Sequence, residues 1–202
     1  MSFELVLGTG NRKKAVEIRQ MVPTDRIHLI SLADLPDAID VVEDGDSFAA
    51  NARLKSTQQA KHLGKWVLAE DSGLCVDALD GQPGIYSARF SGAEATDEKN
   101  NDLLLDRLAG VPLESRTAFY CCYLSLSDPD GNERLTDSGR CYGRIIEERH
   151  GSQGFGYDPM FEIPEYHLTF GQLGPAVKKA LSHRSRALRQ FLPRMLALID
   201  SL

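Results

Sequence analysis

The sequence has no apolar run approaching a membrane span, no C-x-x-C pair and no surplus of positive charge. Phe3 to Leu7, apolar apart from Glu4, is far too short for a signal peptide or a bilayer crossing. We therefore expect a cytoplasmic protein without a membrane partner. Cys75, Cys121, Cys122 and Cys141 show no zinc-finger spacing and no catalytic pattern, so they read as small core hydrophobes in a reducing compartment. Lys and Arg together number 23 against 29 Asp and Glu, and the net charge of -6 argues against binding along a nucleic-acid backbone. An anionic ligand would have to be met locally, by a few placed cations and a metal ion. No repeat, low-complexity tract or linker interrupts the 202 residues, which read as a single domain over 1–202.

What is present centres on WVLAEDSGL, Trp66 to Leu74. Trp66 to Ala69 reads as a short buried strand that delivers Glu70 and Asp71 onto a Ser72-Gly73 turn, with a second strand over Leu74 to Leu79. Successive strand side chains point to opposite faces, so the two acids can serve one partner only if the chain turns there. Such a corner suits a divalent cation, a general base, or both; it is equally what an ordinary solvated acidic turn looks like.

Upstream, the strand Phe3 to Leu7 runs into GTGNRKK, Gly8 to Lys14, and then a helical pattern with Val16, Ile18 and Met21. Glycines at a strand-to-helix junction can aim backbone N–H groups at an anion, although a plain turn capped by Asn11 fits the same letters. Arg12, Lys13 and Lys14 oppose the helix dipole, and a bound phosphate would give them a reason to be there. A strand is expected over Ile27 to Ile30, then an acidic loop from Asp37 to Asp46 that contains Glu43, then a helix capped by Ser47 and running to Leu63 with Lys55 on it. Taken alone, Glu43 and Lys55 read as solvated surface charges.

Downstream, Gly81 to Gly92 is a glycine-rich loop with aromatics, and Thr96 caps a helix to about Leu108. Ala118 to Leu126 and Arg134 to Ile146 are strand-like about the turn DPDGN, which breaks a doubly wound pattern. The expected fold is α/β, an elongated mixed β-sheet flanked by helices. In HGSQGFGYDPMF, Phe155, Gly156, Tyr157 and Asp158 form an aromatic turn that could stack a base or simply fill the core. Lys178, His183 and Arg184 then precede or open an amphipathic helix carrying Leu188, Phe191, Leu192 and Met195.

Taken together, GTGNRKK, VEDGDSFAANARLK, AEDSGLCVDAL, PGIYSARFSG, ATDEKN, GFGYDP and ALSHRSRAL occur in an order and spacing that resembles the inosine triphosphate pyrophosphatase family, over nearly the whole chain. The resemblance implies a Mg²⁺-dependent homodimeric hydrolase that converts ITP, dITP or XTP to the monophosphate and pyrophosphate, with the active-site cleft between two lobes. It implies triphosphate binding by Thr9, Gly10, Asn11, Arg12, Lys13 and Lys14, with Lys55 lining the cleft. Glu43 and Asp71, with Glu70 in support, would hold the metal, and Asp71 would activate water beside Ser72. Phe155, Gly156, Tyr157, Asp158, Lys178, His183 and Arg184 would hold and read the base.

The chemistry is coherent with that carry-over. A triphosphate brings about four negative charges, which Lys14, Lys55 and Mg²⁺ would neutralise. Donors on His183 and Arg184 would meet the 6-keto oxygen of hypoxanthine or xanthine. Against adenine's amino group each would lose roughly 1–3 kcal/mol, enough to reject ATP by about a hundredfold. The chain also departs from the family pattern. Ala50 replaces the usual Glu of the capping box, Glu70 replaces the first Asp of Asp-Asp-Ser-Gly, and Gln172 to Lys178 lacks three acids usual there. Two rival readings are a related pyrophosphatase acting on modified pyrimidine or methylated nucleotides, and a nucleotide sensor without turnover; a base beside the metal speaks for chemistry.

Overall fold

A computed structural model describes residues 2–202. Its strands are β1 (Phe3–Leu7), β2 (Ile27–Ser31), β3 (Val67–Val76), β4 (Thr117–Ser127), β5 (Glu133–Ile145), β6 (Phe161–Ile163) and β7 (Leu168–Thr169). The helices are α1 (Arg12–Arg19), α2 (Phe48–Leu63), α3 (Asp97–Arg107), α4 (Pro175–Leu181) and α5 (His183–Asp200). They form the expected mixed α/β fold, a seven-stranded sheet in the order β2-β1-β3-β4-β5-β6-β7. β1 pairs in parallel with β2 and β3, whereas β6 pairs antiparallel with β5 and β7. Among the described residues no helix is long and apolar enough to cross a membrane.

The chain divides into two compact units, each with its own core. The first comprises residues 1–71, 122–139 and 184–202. Here the alternation of β1 sorts its side chains. Leu5 and Leu7 enter a core with Ile18, Leu68, Leu188 and Phe191, while Val6 turns to Val67 and Ala60 of α2. One face of the sheet is thus covered by α1 and α5, the other by α2. Full burial of a side chain such as Phe191 is worth about 1.5–3 kcal/mol. Val16, expected on the apolar face of α1, is instead 53% exposed, while Ile18 is buried and Ala15 packs against the same core.

The second unit comprises residues 72–121 and 140–183, and its core gathers Leu74, Val76, Leu104, Tyr120, Met160, Phe161 and Phe170. Thr96 caps α3 as expected, its side chain accepting from the Lys99 amide at 3.2 Å. The four cysteines are buried thiols.

The expectation of a turn at Ser72-Gly73 is wrong: β3 continues unbroken from Val67 to Val76. Nearly every residue of it is buried, on both faces, so the continued pairing and packing of Leu74 to Val76 override the local turn signal. The consequence is that Glu70 and Asp71 point to opposite faces.

Candidate active site

On the first unit, Asp71 follows Val67 and Ala69 onto the face covered by α2. The buried side of that helix is small and polar, with Asn51, Ala52, Ser56, Gln59 and Ala60. Gln59 clamps the acidic loop by accepting from the Ile39 amide at 3.1 Å and donating to the Ile39 carbonyl at 2.8 Å. Asn51 fixes the loop's far end, accepting from the Gly45 amide at 2.9 Å. A Cβ on Gly45 would lie 2.7 Å from the Asn51 oxygen, so only glycine lets the loop come so close. Glu43 is held between these two anchors.

The outcome is a compact charged cluster. Lys55 Nζ donates to Glu43 Oε2 at 2.9 Å and to Asp71 Oδ1 at 3.1 Å, and Asn51 Nδ2 reaches Asp71 Oδ2 at 3.4 Å. Neither Glu43 nor Lys55 is the solvated surface charge that each alone suggests. Burial pushes the Asp71 carboxyl above its ordinary value, and Glu43 adds to this, against the pull of Lys55 and Lys14. Burial would pull the Lys55 ammonium down, but Asp71 and Glu43 outweigh it and hold Lys55 charged.

An ammonium shared by two carboxylates marks a place where positive charge is favoured. The same hard oxygen donors fit Mg²⁺, which typically takes one or two carboxylates and completes its shell with water and phosphate oxygens. Among the described residues no group of three or more His, Cys, Asp or Glu is arranged to hold a metal.

The opposite face of β3 differs. Glu70 is 1% exposed, and its carboxylate receives Arg184 Nε at 2.9 Å, Arg184 Nη2 at 3.2 Å, Lys14 Nζ at 3.1 Å and the Cys122 thiol at 3.1 Å. Arg184, also fully buried, pairs further with Glu17. Burial alone would raise the Glu70 carboxyl, but Arg184 and Lys14 hold it well below the usual carboxylate range. Glu17 of α1 and Glu70 of β3 thus both pair with Arg184.

Lys14 lies in the first turn of α1, just after the loop that ends at Asn11. Asn11 caps α1, accepting from the Lys13 and Lys14 amides at 3.0 and 3.2 Å, and Thr9 Oγ1 accepts from the Asn11 amide at 3.2 Å. Those amides, which the sequence offered to an anion, are thus engaged within the loop. Arg12 and Lys13 are exposed beside exposed Gly10, and Lys14 is half-buried.

In the second unit the aromatic turn is built around Asp158. This carboxylate, 2% exposed, accepts from the Phe155 amide at 2.8 Å and from Lys178 Nζ at 2.6 Å. A Cβ on Gly154 would stand 2.0 Å from its Oδ2, which together with φ of +78° requires glycine there. The ammonium of Lys178, on α4, sits 4.3 Å from the centroid of the half-buried Phe155 ring, a cation–π contact. Tyr157 is core, its hydroxyl donating to the Ser87 carbonyl at 2.8 Å. His183 is buried and stacks on Tyr120 at 4.8 Å between centroids, and Ser72 is half-buried on β3.

The motifs alone did not reveal several residues. Asn51 had a readable signal, lying four positions before Lys55 on one helix face. Glu17 and Cys122 had none. Asp97 and Asn101 of α3 grip the aromatic turn: Asp97 accepts from the Gly156 amide at 2.9 Å and Asn101 donates to the Gly156 carbonyl at 3.1 Å. The Arg89 guanidinium carbon lies 5.3 Å from the Tyr86 ring centroid, a cation–π contact.

The chain is similar over nearly its whole length to several known proteins. The dITP/XTP pyrophosphatase of Rhodopirellula baltica is 61% identical over 199 residues, covering 98% of this chain and 96% of that protein. The dITP/XTP pyrophosphatase of Shouchella clausii is 45% identical, covering 92% of each. Among solved structures, a HAM1 protein from Coxiella burnetii superposes with a TM-score of 0.88 at 34% identity, covering 96% of this chain and 98% of that one. The Ham1 family model matches residues 5–194, and the chain belongs to that family.

Proposed function

We propose that this protein is a nucleoside-triphosphate pyrophosphatase that hydrolyses dITP, XTP and ITP to the monophosphate and pyrophosphate, clearing non-canonical purines from the nucleotide pool. The observation that carries this reading is the shared Lys55 ammonium between Glu43 and Asp71, with Asp71 buried and its carboxyl raised. A base needs a proton affinity above that of an ordinary solvated aspartate, and it needs cationic surroundings when its substrate is a polyanion. The cluster meets both requirements.

In this reading Glu43 and Asp71 would hold Mg²⁺, which would supply neutralisation of the charge developing at the α-phosphorus. Asp71 orients a water and takes its proton as the oxygen attacks the α-phosphate, with pyrophosphate leaving. Lys55 holds Asp71 in its ionised form and supplies charge to the phosphates. Thr9, Gly10, Asn11, Arg12, Lys13 and Lys14 receive the phosphate chain, and Ser72 adds a polar contact beside the base. The purine stacks on Phe155, whose position is set by Gly156, Tyr157 and Asp158, and Lys178, His183 and Arg184 favour the keto edge. The working enzyme is read as a cytoplasmic homodimer, which sedimentation at micromolar concentration would test.

The experiment is a substrate panel. Purified protein with Mg²⁺ should release pyrophosphate from dITP, ITP and XTP far faster than from ATP or GTP. Equal turnover of all five would overturn the selectivity, and binding of dITP without any pyrophosphate release would favour a sensor.

A further inference from the structure

β3 runs straight through Glu70 and Asp71, so these neighbours serve different faces, and Glu70 has no line to the Glu43–Lys55–Asp71 cluster along its own face. Its side chain goes with Leu68 toward α1 and α5. There every direction from the carboxylate is used: two donors of Arg184 in a bidentate fork, the Lys14 ammonium and the Cys122 thiol. A carboxylate offers about four lone-pair sites, so four donors saturate it. Glu17 also pairs with Arg184, so a set of charged groups ties α1, β3 and α5 together.

From this we infer that Glu70 is a positioning residue, not a metal ligand: it fixes Lys14 at the phosphate loop and Arg184 at the start of α5, and it does so through its length as well as its charge. Lys14 is the outlet of the set. Its side chain keeps 17% exposure while Glu70 keeps 1%, so the lysine alone can meet both Glu70 and a phosphate. A four-carbon ammonium stem otherwise loses considerable rotamer entropy on binding an anion, and a partner that holds it removes part of that cost beforehand. An aspartate would keep the charge but withdraw the carboxylate by one methylene.

This inference rests on the proposed triphosphate substrate only for its kinetic part. Two variants, Glu70→Gln and Glu70→Asp, are compared with wild type after thermal melting confirms that each is folded at the assay temperature. Mn²⁺ binding to the free protein, read by electron paramagnetic resonance, should be unchanged in both, whereas Glu43→Gln should weaken it about tenfold or more. Weakened Mn²⁺ binding in Glu70→Gln would overturn the inference, whatever the substrate proves to be. In dITP hydrolysis both variants should raise KM by roughly tenfold. Glu70→Asp should raise it no further in a Lys14→Met background, because the two act as one unit. A Glu70→Asp variant with wild-type KM, or one whose effect adds fully to that of Lys14→Met, would show that Glu70 supplies charge or stability alone and would overturn the positioning role. Loss of Mn²⁺ binding and of turnover together would point to a metal role; absence of dITP turnover in wild type would strike the proposed function while leaving the Mn²⁺ comparison decisive.

Discussion

The two faces of β3 give neighbouring carboxylates opposite characters. Asp71 and Glu70 are both buried, at 6% and 1% exposure, so desolvation pushes both toward the neutral form. Asp71 shares one ammonium with a second acid and ends above its ordinary pKa, whereas Glu70 meets a bidentate guanidinium and an ammonium and ends well below. Burial does not decide which acid gains proton affinity; the count and geometry of its cations do. One face holds a carboxylate of raised proton affinity, and the other holds one of lowered proton affinity.

The largest effect that would break this comparison is Asp71→Asn. Removing the proposed base should lower kcat for dITP by about 10²–10⁴-fold. The stability effect has the opposite sign. A carboxyl whose folded pKa is raised above the unfolded value stabilises only below that unfolded value, and its contribution is lost as pH rises through the folded pKa. At pH 7 the Asp71→Asn protein should therefore melt higher than wild type, and the gain should vanish toward pH 3; a lower melting temperature at pH 7 would mean that Lys55 outweighs burial.

Next in size is Arg184→Met, which leaves Glu70 and Glu17 without their guanidinium. Breaking a buried pair in this way costs about 3–5 kcal/mol in denaturant unfolding. The Glu70 carboxyl is depressed in the fold, so its contribution is present above the ordinary glutamate pKa and fades as pH falls through the folded value. The deficit of Arg184→Met should accordingly shrink in acid, and a pH-independent deficit would indicate lost packing alone.

A smaller effect sharpens the Asp71 side. Lys55→Met removes the cation that opposes burial, so the acid limb of the kcat/KM profile should move to higher pH. No movement would take Asp71 out of the base role. Smallest of all, Phe155→Ala should weaken dITP binding by about 1–3 kcal/mol, the worth of one stacked base, and leave the pH profile where it was.

The sequence made much of this legible. The strand at Phe3–Leu7, the Ser47-capped helix to Leu63 and the Thr96-capped α3 follow from local period and capping chemistry, which need no distant partner. Glu43, Lys55 and Asp71 were identified through their shared motif order, and the structure brings them together within hydrogen-bond distance. The Ser-Gly turn misled because a turn signal is local while the burial of β3 on both faces is not. The Glu70 network stayed hidden for the same reason: Arg184 is 114 residues away, and nothing in either sequence neighbourhood announces the other. His183 and Arg184, adjacent in sequence, part company physically, one stacked on Tyr120 and the other forked on Glu70.

The grip of α3 on Gly156 has a consequence for changing what the enzyme accepts. Asp97 and Asn101 hold the amide and the carbonyl of one residue, four positions apart on one helix face, so they act as a two-jawed vice whose height and tilt are those of α3. The Phe155 ring is the next residue along. If the purine stacks on Phe155 as proposed, a search for altered base preference that mutates only Phe155 exchanges the surface of the anvil; shifting α3 by a fraction of a turn would move the anvil itself.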